Sequence, residues 1–293
     1  MLIDRFGRVI KHLRLSVTSR CNLNCIYCHR EGESSKDEMN VEEIEKICKA
    51  FYELGVRKIK ITGGEPLIRE DLIEIIARMP PFDDISLVTN GTLLSKRAQE
   101  LKDAGLNRVN ISLDTLREDR YKHITGKRLL KRVIEGIYAA YDAGLIPIKL
   151  NMVVLKGIND DEIDDLLNFA SSFNNNHNIN VILQVIEVVG LKDYYYQLSK
   201  IEEKYRKIAE KVIVRSLHNR KQYVFKNKAI EFVRPFHKEF CMHCTRIRVT
   251  CDGKIKPCLM RNDNVINIRG LSYDELKNVI KRAVAIREPF IKN

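Results

Sequence analysis

No stretch of this 293-residue chain approaches the ~18 consecutive apolar residues of a membrane-spanning helix. The amino terminus also lacks the unbroken apolar core of a secretory signal, because MLIDRFGRVIKHLRLSV interrupts its apolar residues with Asp4, Arg5, Arg8, Lys11 and Arg14. Tryptophan is absent, proline occurs 7 times and glycine 14 times, and there is no low-complexity tract and no repeat beyond an alternation of strand-like and helix-like stretches. These absences set aside membrane proteins, repeat arrays and unstructured linkers. With 44% hydrophobic residues the chain can bury a core, so the expectation is a soluble, cytoplasmic protein of one large domain with an appendage.

A reducing cytosol disfavours structural disulfides, which leaves metal binding or catalysis as the use to expect of clustered thiols. Six of the eight cysteines fall in two tight groups of three. The formal net charge is +12; six metal-bound thiolates would subtract six charges and two cubane cores would return about four, leaving about +10. Such an excess suits a polyanionic ligand, nucleotide or nucleic acid, although a lysine-rich solvated surface has the same composition.

From residue 12 to about 187 the pattern is strand, then helix, repeated. HLRLSVT (12–18) sets Leu13, Leu15 and Val17 on one face; NVEEIEKICKAFYELG then offers Asn40 as a cap, Glu43 three residues on and Gly55 as a terminator. Further strands are expected at 57–62, 85–89, 108–113, 147–155 and 179–189, with helices near 70–79, 94–104, 129–143 and 160–173. Cys48, inside the first helix, packs as a small apolar residue. The crossovers are long enough for parallel pairing, and the loops after the strands carry SRCNLNCIYC, GGEP, NG and Asp114, with Lys149 and Glu187 inside strands. The predicted fold is α/β: an open, six-unit (β/α) barrel over residues 1–190 with its polar chemistry at one rim, and a smaller C-terminal region, 191–293. A doubly wound sheet is the alternative. In the C-terminal region DYYYQLSKIEEKYRKIAEKVIVRSL reads as one charged amphipathic helix, an irregular segment follows, and SYDELKNVIKRAVAIRE reads as a helix packed on the body.

Cys21, Cys25 and Cys28, within TSRCNLNCIYCHRE (18–31), are spaced C-x3-C-x2-C. Three cysteines alone cannot complete a structural zinc tetrahedron, so a zinc reading needs His29 or a distant fourth ligand. A cubane iron–sulfur cluster on three thiolates keeps one iron open to chelate a substrate. The spacing, with aromatic Tyr27 before the last cysteine, resembles the signature of the radical S-adenosylmethionine (SAM) superfamily. The resemblance implies a [4Fe-4S] cluster whose open iron binds SAM through its amino and carboxylate groups, and an electron that cleaves SAM to a 5′-deoxyadenosyl radical. In TGGEP (62–66), Gly63 and Gly64 allow backbone to approach a ligand and Glu65 can accept a hydrogen bond from an ammonium. Alone this would be an ordinary turn; beside the triplet it resembles the superfamily's SAM amino-group motif.

Cys241, Cys244 and Cys258 form C-x2-C-x13-C, with Arg246 and Arg248 between the second and third ligands. A second cubane would again leave an iron for a nitrogen or oxygen of substrate, while forked arginines suit phosphate or carbonyl oxygens. A zinc knot that adds Cys251 is the competing reading. With LRLSVTSRCN, KITGGEP, TNG, NISLD, KGIND and CTRIRVTCDGKIKPCL, the two triplets resemble the GTP 3′,8-cyclase (molybdenum cofactor biosynthesis protein A) family, nearly continuously over 8–190 and again over 240–270.

That resemblance implies two [4Fe-4S] clusters and conversion of GTP to (8S)-3′,8-cyclo-7,8-dihydroguanosine 5′-triphosphate, by hydrogen abstraction from the ribose 3′ carbon and its bonding to carbon 8 of guanine. It places Arg14, Lys60, Lys149, Arg246 and Arg248 against GTP, with Lys58, Val88 and Thr89 beside them, and gives Arg14, Arg246 and Arg248 the catalytic part. Tyr27, Gly64, Ser112 and Val189 match SAM-contact positions. Implied partners are an electron donor and the downstream cyclic pyranopterin monophosphate synthase; a homodimer stays open. The chain departs from the family in having Lys60 where arginine is common, Val88 where threonine is frequent and Gln184 at an arginine position, and in ending REPFIKN without the usual Gly-Gly. Two other readings compete: a radical SAM enzyme that modifies a peptide, and a zinc-stabilised nucleic-acid-binding protein, which explains neither C-x3-C-x2-C nor GGEP.

Overall fold

The computed structural model describes residues 1–29 and 37–291; Arg30 and Glu31 of the quoted cysteine stretch, and the last two residues of the chain, lie outside the described residues. Strands β1 (His12–Ser16), β2 (Lys58–Thr62), β3 (Asp84–Thr89), β4 (Arg108–Ser112), β5 (Ile148–Val154) and β6 (Val181–Glu187) pair in parallel, each with the next. Between them run α1 (Val41–Glu53), α2 (Leu72–Ala77), α3 (Ala98–Asp103), α4 (Glu118–Thr125), α5 (Leu130–Asp142) and α6 (Ile163–Ser171). The strand order never reverses, as a (β/α) barrel requires and a doubly wound sheet does not.

Period-two alternation gives every strand two faces. Leu13, Leu15, Ile59, Ile61, Val109, Ile111, Leu150, Met152, Leu183 and Val185 are buried in the hydrophobic core. The alternate residues, Arg14, Lys60, Ser86, Asn110, Lys149 and Gln184, line an interior cavity. Register fixes who meets whom: Arg14 lies opposite Lys60, Lys60 opposite Ser86, and Asn110 opposite Lys149. Asn40 and Glu43 close a reciprocal capping box on α1, and Cys48 sits in its buried face, both as expected from sequence.

The C-terminal region does not stand apart. After α7 (Ser199–Ile208), strands β7 (Lys211–Val214), β8 (Lys221–Phe225) and β9 (Lys228–Val233) extend the sheet beyond β6, with β9 parallel to it. Past the short α8 (Lys238–Met242), β10 (Arg246–Val249) pairs in parallel with β1, and β11 (Lys254–Lys256) and β12 (Ile266–Asn267) follow antiparallel. Among the described residues the result is one sheet of twelve strands, open between β12 and β7. α9 (Tyr273–Ala285) starts at a Ser272–Glu275 capping box, buries Leu276, Ile280, Ala283 and Val284, and pairs Lys277 with Glu53 of α1 at 2.9 Å.

Three expectations needed correction. The single helix foreseen from Asp193 stops at Ile208, and KVIV continues as a strand. The irregular stretch after it holds β8 and β9, with His218 and Asn219 at positive φ in the β7–β8 turn and Lys226 in the β8–β9 turn, where no glycine or proline stands. The helix near 94–104 is two pieces, a 3-10 turn at Leu94–Lys96 and then α3.

Candidate active site

Cys21, Cys25 and Cys28 sit on the loop after β1, at the carboxyl ends of the parallel strands. Helix α4, which sequence patterning missed, carries that loop: the carbonyls of Thr125 and Ile124 accept from the amides of Asn24 (3.0 Å) and Ile26 (2.9 Å). Cys28 N–H donates to the carbonyl of Cys25 at 3.0 Å. The Tyr27 hydroxyl donates to Asp114 at 2.7 Å, and its ring packs against Ile124, Leu155 and Val188. Burial lifts the Cys25 thiol well above its usual range, with Asp114, Cys28 and Cys21 adding to it. Burial likewise raises Cys21, where Cys28 contributes.

Three neighbouring cysteines that oppose one another's ionisation, two of them exposed, are a donor set suited to a cluster with one side open to a ligand. Among the described residues no three His, Cys, Asp or Glu groups converge on a point for a single ion, and a cluster does not ask for that, since it spreads its thiolates over separate irons.

Gly63 and Gly64 are needed for a close approach within the chain itself. A Cβ on Gly63 would lie 2.5 Å from the Thr18 carbonyl oxygen, and one on Gly64 would lie 2.2 Å from that of Arg20. The missing side chains therefore let the β2 loop press against the cysteine loop, with Gly64 N–H donating to Thr18 O at 2.7 Å. Gly64→Ala should cost about 1–3 kcal/mol in chemical denaturation and reduce iron loading of the first triplet, because the clash is with backbone that cannot rotate away.

Glu65 is fully buried and accepts from Leu67 N–H (3.0 Å), Thr89 Oγ1 (2.7 Å) and Asn90 N–H (2.6 Å), so it staples GGEP to the TNG loop. Burial pushes its carboxyl up to about 7. Ser112 ends β4, facing Asn151 in register, and Val189 lies half-buried two residues past β6. Glu187 is buried, accepting from Leu198 N–H at 3.3 Å.

The polar chemistry does not gather at one rim. Cys241 and Cys244 precede β10, and Cys258 follows β11, so the second triplet lies at the amino ends of the strands, opposite the first. Burial opposes the Cys244 thiolate, yet Arg287, Arg246 and Arg248 outweigh it and bring its pKa down. Cys251 is buried in the turn between β10 and β11, apart from that trio.

Between the two ends lies a cavity of about 680 Å³. Among the described residues eight cationic side chains line it: Arg14, Lys58, Lys60, Arg108, Lys149, Arg215, Arg220 and Arg246. Val88 contributes apolar wall. Thr89 points elsewhere and acts through Glu65. Arg248 borders a small adjoining cavity together with Arg14, Thr62 and Lys256. Arg14 donates to Thr62 Oγ1 at 3.1 Å and Lys60 to Asn110 Oδ1 at 2.9 Å. Burial, then Arg108, Arg246, Lys149 and Arg14, depress Lys60 strongly. Burial and Arg246 hold His12 down at about 3, so it stays neutral beside Thr245.

Acidic counter-charge is scarce. Asp84 is taken by the Arg108 fork at 2.8 and 2.6 Å. Glu231, fully buried on β9, accepts from Lys149, from Gln184 at 2.9 Å and from Arg220 at 2.7 Å. Burial opposes its ionisation, but Lys149 and Arg220 prevail and hold it at about 2. Arg215 bonds Gln222, and its Nε is buried without a partner. Arg108, Arg215 and Arg220 escaped the sequence reading; the last two lie in the stretch taken for helix and irregular chain, where no strand period was sought.

Residues 15–170 match the family model described as the Radical SAM superfamily, and residues 187–292 the one described as Molybdenum Cofactor Synthesis C. The chain is 52% identical over 297 residues, with all of both chains covered, to a protein of Archaeoglobus fulgidus named probable GTP 3′,8-cyclase. Proteins of the same name in Pyrococcus abyssi and Methanocaldococcus jannaschii are 48% and 46% identical, with 99% of each chain covered. Among solved structures, Streptococcus suis SuiB bound to S-adenosylmethionine aligns with a TM-score of 0.62 at 16% identity, covering 86% of this chain and 59% of SuiB. The anSMEcpe structure with bound AdoMet aligns with a TM-score of 0.58 at 16% identity, covering 94% of this chain and 84% of that one. These two share the fold. The full-length relatives and the matched family models show more: the chain belongs to the radical SAM superfamily and, within it, to the GTP 3′,8-cyclase family.

Proposed function

We propose that this chain is a GTP 3′,8-cyclase of molybdenum cofactor biosynthesis, converting GTP to (8S)-3′,8-cyclo-7,8-dihydroguanosine 5′-triphosphate. The observation that carries the reading is the cation-lined cavity, enclosed by strands that bear a cysteine triplet at each end. A triphosphate supplies the anion that seven buried or half-buried cations, with Lys58 exposed beside them, call for. Bound at the first triplet, a [4Fe-4S] cluster and SAM supply the hydrogen abstraction at the ribose 3′ carbon.

The chain's own residues hold and orient. Arg14, Lys60, Lys149 and Arg246 hold phosphate and guanine oxygens, Lys58 stands at the exposed end of β2, and Arg248 supports Arg14 from the adjoining cavity. Arg215 and Arg220 make good the cation missing at Gln184, since Arg220 reaches the same Glu231 carboxylate that Gln184 bonds. Tyr27, Gly64, Ser112 and Val189 surround SAM, and Glu65 keeps a lone pair for its ammonium. Cys241, Cys244 and Cys258 hold a second [4Fe-4S] cluster. Residues 1–190 then carry SAM chemistry, and 191–293 complete the substrate cavity. An electron donor, the downstream synthase and a cytoplasmic setting belong to the same reading. No described helix is long and apolar enough to cross a membrane. A peptide substrate is not favoured: the neighbours solved with bound peptide share only the fold, at 16% identity.

Anaerobic reconstitution with iron and sulfide, then GTP, SAM and reductant, should yield 5′-deoxyadenosine and the cyclised triphosphate. SAM cleavage with GTP unchanged would remove GTP as substrate and leave the radical chemistry standing.

Lys149 gives the reading a pH signature. Burial depresses its pKa from 10.5 to about 8, with Glu231 opposing. Phosphate binding needs the ammonium, so GTP affinity should be level below about 8 and fall about tenfold per pH unit above it. Ligand-free stability should move the other way: between about 8 and 10.5 the unfolded chain binds the extra proton, so stability rises with pH. Equilibrium dialysis of GTP without reductant, with urea unfolding across the same pH range, checks both; Lys149→Arg should flatten the affinity curve.

A further inference from the structure

At the amino ends of the strands the two termini of the chain meet around one carboxylate. Asp4 Oδ1 accepts from the amides of Phe6 and Arg8, each at 3.0 Å. Its Oδ2 accepts from Arg8 Nε at 2.7 Å and Arg287 Nη1 at 2.8 Å. Arg8 and Arg287 are themselves buried, at 7% and 2% exposure. Their remaining donors reach the second triplet: Arg8 Nη1 bonds the Cys241 carbonyl at 2.8 Å, and Arg287 Nη2 bonds the Cys244 carbonyl at 2.8 Å. Arg287 Nε bonds the carbonyl of Pro257, the residue before Cys258, at 3.2 Å. One network thus grips the backbone at all three cysteines.

The charge does not balance within this network. Two buried guanidiniums share a single carboxylate, and among the described residues Arg8 Nη2 is buried without a hydrogen-bond partner. An uncompensated buried cation is costly unless an anion stands near. Three thiolates on a dipositive cubane carry one net negative charge, which matches the surplus.

We propose that Asp4, Arg8 and Arg287 form a clamp that presets the Cys241, Cys244 and Cys258 positions and gives the cluster held there its compensating positive charge. All three are positioning residues, acting through backbone carbonyls. The clamp rests on the reading that this triplet holds a cluster, and it assigns a task to two segments, residues 4–8 and Arg287, that the catalytic reading leaves idle.

The test uses the full chain with Cys21, Cys25 and Cys28 changed to alanine, reconstituted anaerobically, so that any iron belongs to the second triplet. This parent must hold about four irons per chain; less than that overturns the cluster reading itself. In that background, Arg287→Gln should speed iron loss to a chelator about 10- to 100-fold and move the reduction potential, followed by electron paramagnetic resonance, to more negative values. Arg287→Lys and Arg8→Lys keep the charge but not the fork, so they should hasten iron loss while largely restoring the potential. Asp4→Asn should hasten iron loss too, because both guanidiniums lose their anchor. If the lysine variants melt at a lower temperature yet keep the parent's iron and potential, the network is a structural staple for the termini and the clamp is wrong.

Discussion

Cys25→Ala protein, reconstituted without oxygen, should hold about four irons per chain instead of about eight and form no 5′-deoxyadenosine, a fall of at least about 10⁴-fold. The loop that carries Cys25 does not depend on it for shape. The α4 carbonyls, the Tyr27–Asp114 bond and the Asn22–Thr92 bond of 2.9 Å all survive the substitution. What disappears is one of three thiolates, so the cluster loses a ligand and SAM its iron. Burial and Asp114 make the Cys25 thiol hard to ionise, so metal must displace a proton held more tightly than usual. Loading of the wild-type triplet should accordingly slow as pH falls. Cys258→Ala is the informative contrast. It should also leave about four irons, yet keep slow SAM cleavage while abolishing the cyclised product. Should Cys258→Ala retain full cyclase activity, the second cluster has no part in the reaction.

The barrel was legible because two signals agreed along it: period-two alternation at Leu13, Leu15 and Val17, and caps such as Asn40 and Glu43 at helix starts. The cysteine spacings were legible for the same local reason. Beyond Val189 the punctuation fails. Turns at His218–Asn219 and at Lys226 take positive φ without glycine, so the strongest punctuation was missing from the β7–β8–β9 stretch that brings Arg215 and Arg220 to the cavity and Glu231 against Arg220. Long-range pairing was likewise out of reach. That Gln184 and Gln222 both face Glu231 follows from β9 lying between β6 and β8, and no local pattern encodes strand order. The role of Gly64 shows a subtler gap. Its need for a bare Cα could be foreseen, whereas the partner, the Arg20 carbonyl of the cysteine loop, could not. Asp4 and Arg8 served in the sequence only to interrupt an apolar run and Arg287 was given no role, because their meaning arises only where residues 4–8 and 287 meet.

The second large effect is expected at Glu231. Its carboxylate is fully buried, and Lys149 and Arg220 both depend on it for counter-charge. Glu231→Gln keeps the shape and a hydrogen-bonding group but removes the charge, leaving two cations that repel each other in a poorly solvated wall. Breaking a buried ion pair from one side costs about 3–5 kcal/mol, and the ligand-free protein should lose about that much in urea unfolding. Part of the loss should be relieved near neutral pH by deprotonation of Lys149, whose pKa then falls below its present value of about 8. GTP should restore more stability to this variant than it adds to the parent, since its phosphates take the place of the lost carboxylate and stabilise whichever state binds them. An acidic residue that merely filled the core would give a different result, with the same loss whether or not GTP is present. The difference between the two unfolding series, with and without nucleotide, therefore separates a cavity built to hold an anion from a wall that happens to be charged.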